Sequence, residues 1–310
     1  MEKKLLLAGE NLILRVLFYS LVRHGGKEVM HTQKRELIPV SSIIPFLLIA
    51  FGLAWSILAF FIFLPELATE IFGKLTGQHP LFFLGVYSPA IAAFMIVGYY
   101  GGYKAIKRFL SRILMWRCSV DWYAFILMVV PLVFYVGSYI KGTLWGNMYP
   151  FDSMQALFTA LLLAAIKGPI EEFGWRGFAL PLLQRKFTPI SSSLILGVIW
   201  GVWHFPVFLL SGTQQSNWSF APFFVGCIAI SVIVTVLFNA SRGSIFLAAL
   251  FHFMLMNPIF PDAEPYDTYL LVIIAIPIVW FNRRTMFTKE GAVTEVIPYE
   301  VSYQSLKRTG

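Results

Sequence analysis

Apolar residues in this chain come in long unbroken runs rather than in alternation with polar ones, and the runs have the length a bilayer asks for, about 20 residues of helix. Five are uninterrupted, at 43–63, 81–100, 122–140, 193–210 and 223–238, and three are shorter or broken, at 154–170, 244–259 and 268–281. The pattern predicts an all-α, polytopic membrane helix bundle of about eight transmembrane helices. The run at 268–281 is the weakest of the eight.

The polar segments between the runs orient the bundle, because cytoplasmic loops are enriched in Lys and Arg. With the amino terminus inside, the cytoplasmic segments are 1–42, 101–121, 171–192, 239–243 and 282–310, and they hold 21 of the 24 basic residues. Lys74 and Lys141 fall in outer loops and Lys167 lies within a run. Seven spans would throw half of this pattern out of register, so eight spans with both termini cytoplasmic is the expectation. The net charge of +8 is then a matter of topology and needs no nucleic-acid partner.

Composition agrees: 58% of residues are hydrophobic and 13% charged, where a soluble globule is nearer a quarter charged. Cys118 and Cys227 stand far apart with no CxxC or zinc-ribbon spacing, so neither a disulfide framework nor a structural metal site is indicated. The start, "MEKKLLLAGENLILRVLF", begins like a signal peptide, but Gly9 and Glu10 cut its first apolar run short and no clear small-residue cleavage site follows. It reads as retained. Residues 11–22, with Arg15 among apolar neighbours, suit a helix in the membrane interface or a short helix packed on the core. The stretch 104–117 suits an amphipathic helix on the inner surface, and the polar segment after Phe281 an exposed tail. No repeat or Pro/Gly-rich linker divides the chain. It falls into a cytoplasmic or interfacial segment (1–42), a transmembrane domain (43–281) and a cytoplasmic tail (282–310).

Six ionisable residues lie inside the runs or at their ends: Lys167, Glu171, Glu172, Arg176, His204 and His252. At membrane depth each needs a partner or water, which makes such residues functional candidates. In "KGPIEEFGWRG", Glu172 and Arg176 are spaced to pair at i and i+4, while Glu171 is turned about 100° away. Lys167 is i−4 to Glu171, with Pro169 between them to kink the turn. A solvated charge cluster at a cytoplasmic helix end is the plain alternative. In "ILGVIWGVWHFPVF", His204 is read as lying mid-span, with Trp200 one turn earlier forming an aromatic wall and Pro206 opening the helix. A structural hydrogen bond to a backbone carbonyl is the alternative there. In "SIFLAALFHFMLMNP", His252 is again mid-span and Asn257 follows it.

One carboxylate and two imidazoles can activate water for amide hydrolysis, Glu as general base and His orienting water or stabilising an oxyanion. The same three groups, Glu171, His204 and His252, have the donor types of a zinc site with water as fourth ligand, though dispersed rather than in HExxH spacing. The sequence leaves both open, so the cofactor is either none or zinc. HExxH, GxGD and GxSG are all absent. The other reading of such residues is a proton-coupled transporter, which predicts a repeat between halves that the sequence lacks.

These residues resemble the motifs of the CPBP family, intramembrane proteases of the CAAX prenyl endopeptidase and bacteriocin-processing type. The family's EExxxR is matched by Glu171, Glu172 and Arg176, and its aromatic-xxx-His by Trp200 and His204. Its HxxxN is matched by His252 but has Met at 256, with Asn257 one place late. The resemblance covers about 150–260. It implies that Glu171 is the general base, that His204 positions the water, and that His252 with Asn257 forms the oxyanion site. Glu172 and Arg176 are then structural or substrate-orienting. The implied activity is that of a multi-pass membrane endopeptidase, its partners the lipid bilayer and a membrane-anchored or prenylated peptide. A non-proteolytic scaffold or immunity protein is the alternative within the family, left open by the displaced asparagine.

Overall fold

The first long helix, α1 (Ile43–Phe63), is apolar all round and carries no charged residue, as a span should. The computed structural model describes residues 38–145 and 151–298, and every regular element among them is helical. The expected interfacial helix at 11–22 and the last residues of the tail lie outside the described residues. Among the described residues five stretches are long and apolar enough to cross a membrane: Val40–Phe63, Pro80–Leu114, Val120–Lys141, Pro189–Leu209 and Phe220–Ala240. The protein is a multi-pass integral membrane protein.

After a short α2 (Pro65–Phe72), α3 (Pro80–Leu110) runs back against α1. Gly85 faces Ala54 at this seam, where an added Cβ would stand 3.9 Å from the Ala54 Cα, and Ala50, Ala90 and Ala93 are buried on the same two helices, small residues that let two backbones approach closely. Ser88 adds a hydrogen bond from its Oγ to the Ala50 carbonyl, 2.7 Å. Gly102, at φ 59° and ψ −159°, breaks the helical path between the spanning part of α3 and the basic turn that follows.

That basic turn differs from expectation. Arg112 is not on the surface but 2% exposed, donating to the carbonyls of Gly243 (2.8 Å), Val296 (3.1 Å) and Glu295. The tail is likewise not fully exposed. It forms α11 (Arg283–Phe287) and then packs down, burying Met286, Val296 and Ile297. A buried guanidinium needs carbonyl partners, and the tail supplies them.

The remaining helices are α4 (Val120–Lys141), α5 (Met154–Ile166), α6 (168–186, Gly168–Gly174 continuing through a π turn at Trp175–Ala179 into Leu180–Lys186), α7 (Pro189–Trp203), α8 (Phe220–Ala240), α9 (Ile245–Leu255) and α10 (Tyr266–Phe281). α7 and α8 pack at Gly197 and Gly201, where an added Cβ would stand 2.7 Å from the Ile228 Cα and 2.6 Å from the Phe224 ring.

Three expected spans are shorter than their apolar runs. The run 154–170 breaks at Lys167 (φ −83°, ψ −90°), beside Pro169, which has no N–H to continue the ladder. The run 193–210 ceases to be α-helix after Trp203, and the run 244–259 after Leu255, short of Pro206 and Pro258 respectively. His204 therefore stands at the C-terminal cap of α7, not in the middle of a helix.

The two ends of the bundle are chemically different. At one, Arg112 reaches Gly243 and the 295–296 carbonyls, Gln184 and Asn239 exchange amide hydrogen bonds, and Lys289 donates to the carbonyls of Arg185 and Lys186. At the other, Lys141 pairs with Asp262 at 2.7 Å and Thr143 donates to the Asp262 carbonyl.

Candidate active site

The three candidate groups lie where the shortened runs break: at the ends of α7 and α9, and at the start of α6 just past the break that ends α5. α9 has 11 residues, about 16 Å of helix, roughly half of a hydrocarbon core about 30 Å thick. His252 lies near its last turn, His204 caps α7, and Glu171 lies in the first turn of α6. Past α7 the chain tightens into a 3-10 helix at Phe205–Leu209, and past α9 it is irregular; irregular backbone at membrane depth is tolerated where it is packed in protein or lines a cavity. Such a cavity is present, about 990 Å³, lined by Glu171, Trp200, His204, His252 and Asn257 among others.

Trp200 is the centre of the arrangement. Its indole N–H donates to Glu171 Oε2 at 3.0 Å, and its ring stands edge-on to the imidazoles of His204 (5.3 Å) and His252 (5.6 Å). The Arg176 guanidinium lies 4.7 Å from its ring centroid, a buried cation–π contact. The expected wall against His204 is there, but the contacts to Glu171, His252 and Arg176 were not legible from spacing within one helix.

Glu172 faces the other way from Glu171, as the 100° turn requires, and accepts from Arg176 at 3.0 Å. It also takes His252 Nδ1 at 2.7 Å. Glu172 and Arg176 are 1% and 0% exposed, so the cluster is a buried structural knot, not a solvated charge patch. The Glu172–His252 link joins α6 to α9 across 80 residues of sequence, and no local pattern announces it.

Both histidines are held through Nδ1: His252 on the Glu172 carboxylate, and His204 on the Trp200 carbonyl at 2.8 Å. An acceptor at Nδ1 requires an N–H there and leaves Nε2, with or without a proton of its own, for the cavity. The structural alternative for His204, a bond to a backbone carbonyl, is thus realised on one ring nitrogen while the other stays uncommitted.

Because α9 has already ended, helical arithmetic no longer governs Asn257. It lines the same cavity as His252, and its Oδ1 accepts from the Ile259 N–H at 3.1 Å, which pins the amide. Lys167 makes no pair with Glu171. Its ammonium sits 5.8 and 5.5 Å from the Phe82 and Phe83 rings, also on the cavity wall. Gly168 is a position sequence reasoning passed over: a Cβ there would stand 2.5 Å from His252 Nε2 and 2.2 Å from Met256 Sδ.

The zinc alternative finds no support in side-chain placement. Among the described residues no three His, Cys, Asp or Glu side chains gather closely enough to hold a metal ion, and the donor set Glu171, His204 and His252 does not fit one.

Comparison with known proteins bears on the same stretch. Residues 153–257 match the family model described as type II CAAX prenyl endopeptidase Rce1-like. Over 157 residues the chain is 30% identical to CAAX prenyl protease 2 of Methanococcus maripaludis, a match covering 47% of this chain and 56% of that relative. The chain thus spans little more than half the length of the curated relative.

Proposed function

From the premise that residues 153–257 are an Rce1-like region of the CPBP family, we propose that the chain is an intramembrane endopeptidase that hydrolyses a peptide bond with water activated by Glu171. The observation that carries this reading is the convergence of Glu171, His204, His252 and Asn257 on one cavity at the broken ends of three helices.

Each group has a task its bonding suits. Glu171 is anchored through Oε2, and its other oxygen takes the proton from water as that water attacks the carbonyl carbon. His204 Nε2 accepts the second O–H of the water and aims it. As the carbonyl oxygen gains charge, His252 donates from Nε2, with Glu172 on Nδ1 balancing the imidazolium. Asn257 adds a donor from Nδ2, its amide held by the Ile259 N–H. The proton on Glu171 then passes to the leaving amine. Glu172 and Arg176 hold the frame. This is a glutamate-dependent mechanism.

The substrate fits a peptide held at the membrane by an apolar anchor, because the cavity walls include Phe82, Phe134, Phe223 and Leu255. The prenylated CAAX class named for the archaeal relative is the substrate to try first. The test is cleavage of a fluorogenic prenylated CAAX peptide by the purified protein in detergent, wild type against Glu171→Gln. Cleavage lost in the variant supports both the chemistry and the base. Cleavage retained in the variant removes Glu171 as base, and no cleavage by wild type removes this substrate.

A further inference from the structure

We infer that Lys167 binds a carboxylate of the peptide substrate, its terminal α-carboxylate or an acidic side chain, a few residues from the bond to be cut. The inference rests on the peptidase reading for what enters the cavity, and on the position and bonding of Lys167 for the rest.

Lys167 stands at the break between α5 and α6, where φ −83° and ψ −90° end one helix and Gly168–Gly174 begins the next. A straight helix would set it one turn before Glu171 and on the same face, the spacing at which ammonium and carboxylate pair. The break turns it elsewhere. Its Nζ lies 5.8 and 5.5 Å from the Phe82 and Phe83 ring centroids, and a Cβ on Gly77, in the loop between α2 and α3, would stand 3.6 Å from it. The ammonium is thus held beside two aromatic rings and a loop glycine, on the wall of the cavity that Glu171 also lines.

What it lacks is an acceptor. An ammonium has three N–H donors, and a lysine at membrane depth ordinarily extends its head to the interface or pairs with an acid. Among the described residues none accepts from Lys167 Nζ or forms an ion pair with it. Nearby cations are committed, Arg176 to Glu172 and Lys141 to Asp262. Of the described residues lining the cavity, Lys167 is the one lysine or arginine. Elsewhere on the wall the carboxyl groups are those of Glu171, Asp262, Glu264 and Asp267, so an entering carboxylate meets one side chain of lasting opposite charge. A charge-assisted bond to it is strengthened where the Phe82 and Phe83 rings keep water away. Glu171 follows Lys167 by about one helical turn, roughly 5.4 Å of axis. A carboxylate on Nζ therefore lies within a few extended residues, at about 3.3 Å each, of the carbonyl presented to Glu171.

The test reads binding, on the full chain in detergent with Glu171→Gln to block turnover. Three prenylated peptides carrying an uncharged amino-terminal fluorophore end in a carboxylate, in a carboxamide, or in a carboxamide with glutamate as the last residue, and their affinities are measured by fluorescence anisotropy. A carboxylate peptide is expected to bind at least about tenfold more tightly than the neutral amide, as a charge-assisted hydrogen bond implies. Preference for the free terminus identifies the α-carboxylate, and preference for the glutamate amide an acidic side chain. Lys167→Met should abolish the preference. Gly77→Asp, which places a carboxylate of the chain's own beside Nζ, should abolish it with the lysine intact, and serves alone should Lys167→Met fail to fold. Equal affinity for the three peptides, or no binding of any, overturns the inference, and so does a preference that survives either variant. Binding does not require cleavage, so a Lys167-dependent preference in a protein whose wild type cuts no peptide would sink the peptidase reading alone, and cleavage without the preference would sink this one alone.

Discussion

Trp200 donates its indole N–H to Glu171 at 3.0 Å while its own carbonyl accepts from His204 at 2.8 Å, so one residue of α7 positions both the proposed base and the imidazole proposed to aim the water. Its ring faces Arg176 and His252 as well. Any change at 200 therefore reaches the whole site.

Trp200→Phe keeps an aromatic ring and the backbone carbonyl but deletes the N–H. A hydrogen bond to a charged group is worth about 1.5–3 kcal/mol, so loss of even the lower value in the transition state lowers kcat about tenfold. Steady-state cleavage should show that fall with little change in KM. An unchanged kcat would mean that Glu171 needs no anchoring.

Asn257→Asp retains an oxygen to accept from Ile259 and removes the Nδ2 donor. If the amide donates to the oxyanion, kcat falls about 10²-fold or more, the scale seen when one such donor is deleted, while the melting temperature holds. A near-normal rate would reduce Asn257 to a turn residue.

Gly168→Ala and Gly174→Ala separate site from scaffold. The Cβ at 168 would collide with His252 and Met256, and that at 174 with Pro89 backbone atoms at 2.5 Å. The first should abolish cleavage, and the second should lower stability by about 1–3 kcal/mol, the usual cost of overpacking. Gly52→Ala, with nothing within 4 Å, should be neutral or stabilising by up to about 1 kcal/mol. Thermal unfolding in detergent alongside the cleavage assay checks all three.

Glu264, on the loop between α9 and α10, has its carboxyl pushed up to about 8 by burial and by the neighbouring carboxylates of Asp267 and Asp262, with Lys141 opposing. An unfolded Glu ionises near 4.3. Between these values the folded chain binds the extra proton, so this group's contribution to stability is complete below about pH 4.3 and is lost as pH rises through about 8. Glu264→Gln should flatten the decline in melting temperature across that window and raise it most at pH 8 and above. A decline as steep as that of wild type would assign it to other groups.

The apolar runs were enough to establish a helical membrane bundle, because a bilayer demands about 20 apolar residues per crossing whatever the neighbours are. The pairing of Glu172 with Arg176 and the divergence of Glu171 were legible for a similar reason: both follow from 3.6 residues per turn within one helix. The motifs also located the family region. What they could not show was where helices stop. Hydropathy continues through Trp203 to Leu209 and through Leu255 to Ile259, yet α7 and α9 end inside those runs, which moves His204 to a helix cap and frees Asn257 from the register that had seemed to misplace it. The Glu172–His252 bond, the reach of Trp200 and the burial of Arg112 under the tail all join residues far apart in sequence. Contacts of that kind depend on how helices pack across one another, and a periodicity read along a single helix carries no information about its neighbours.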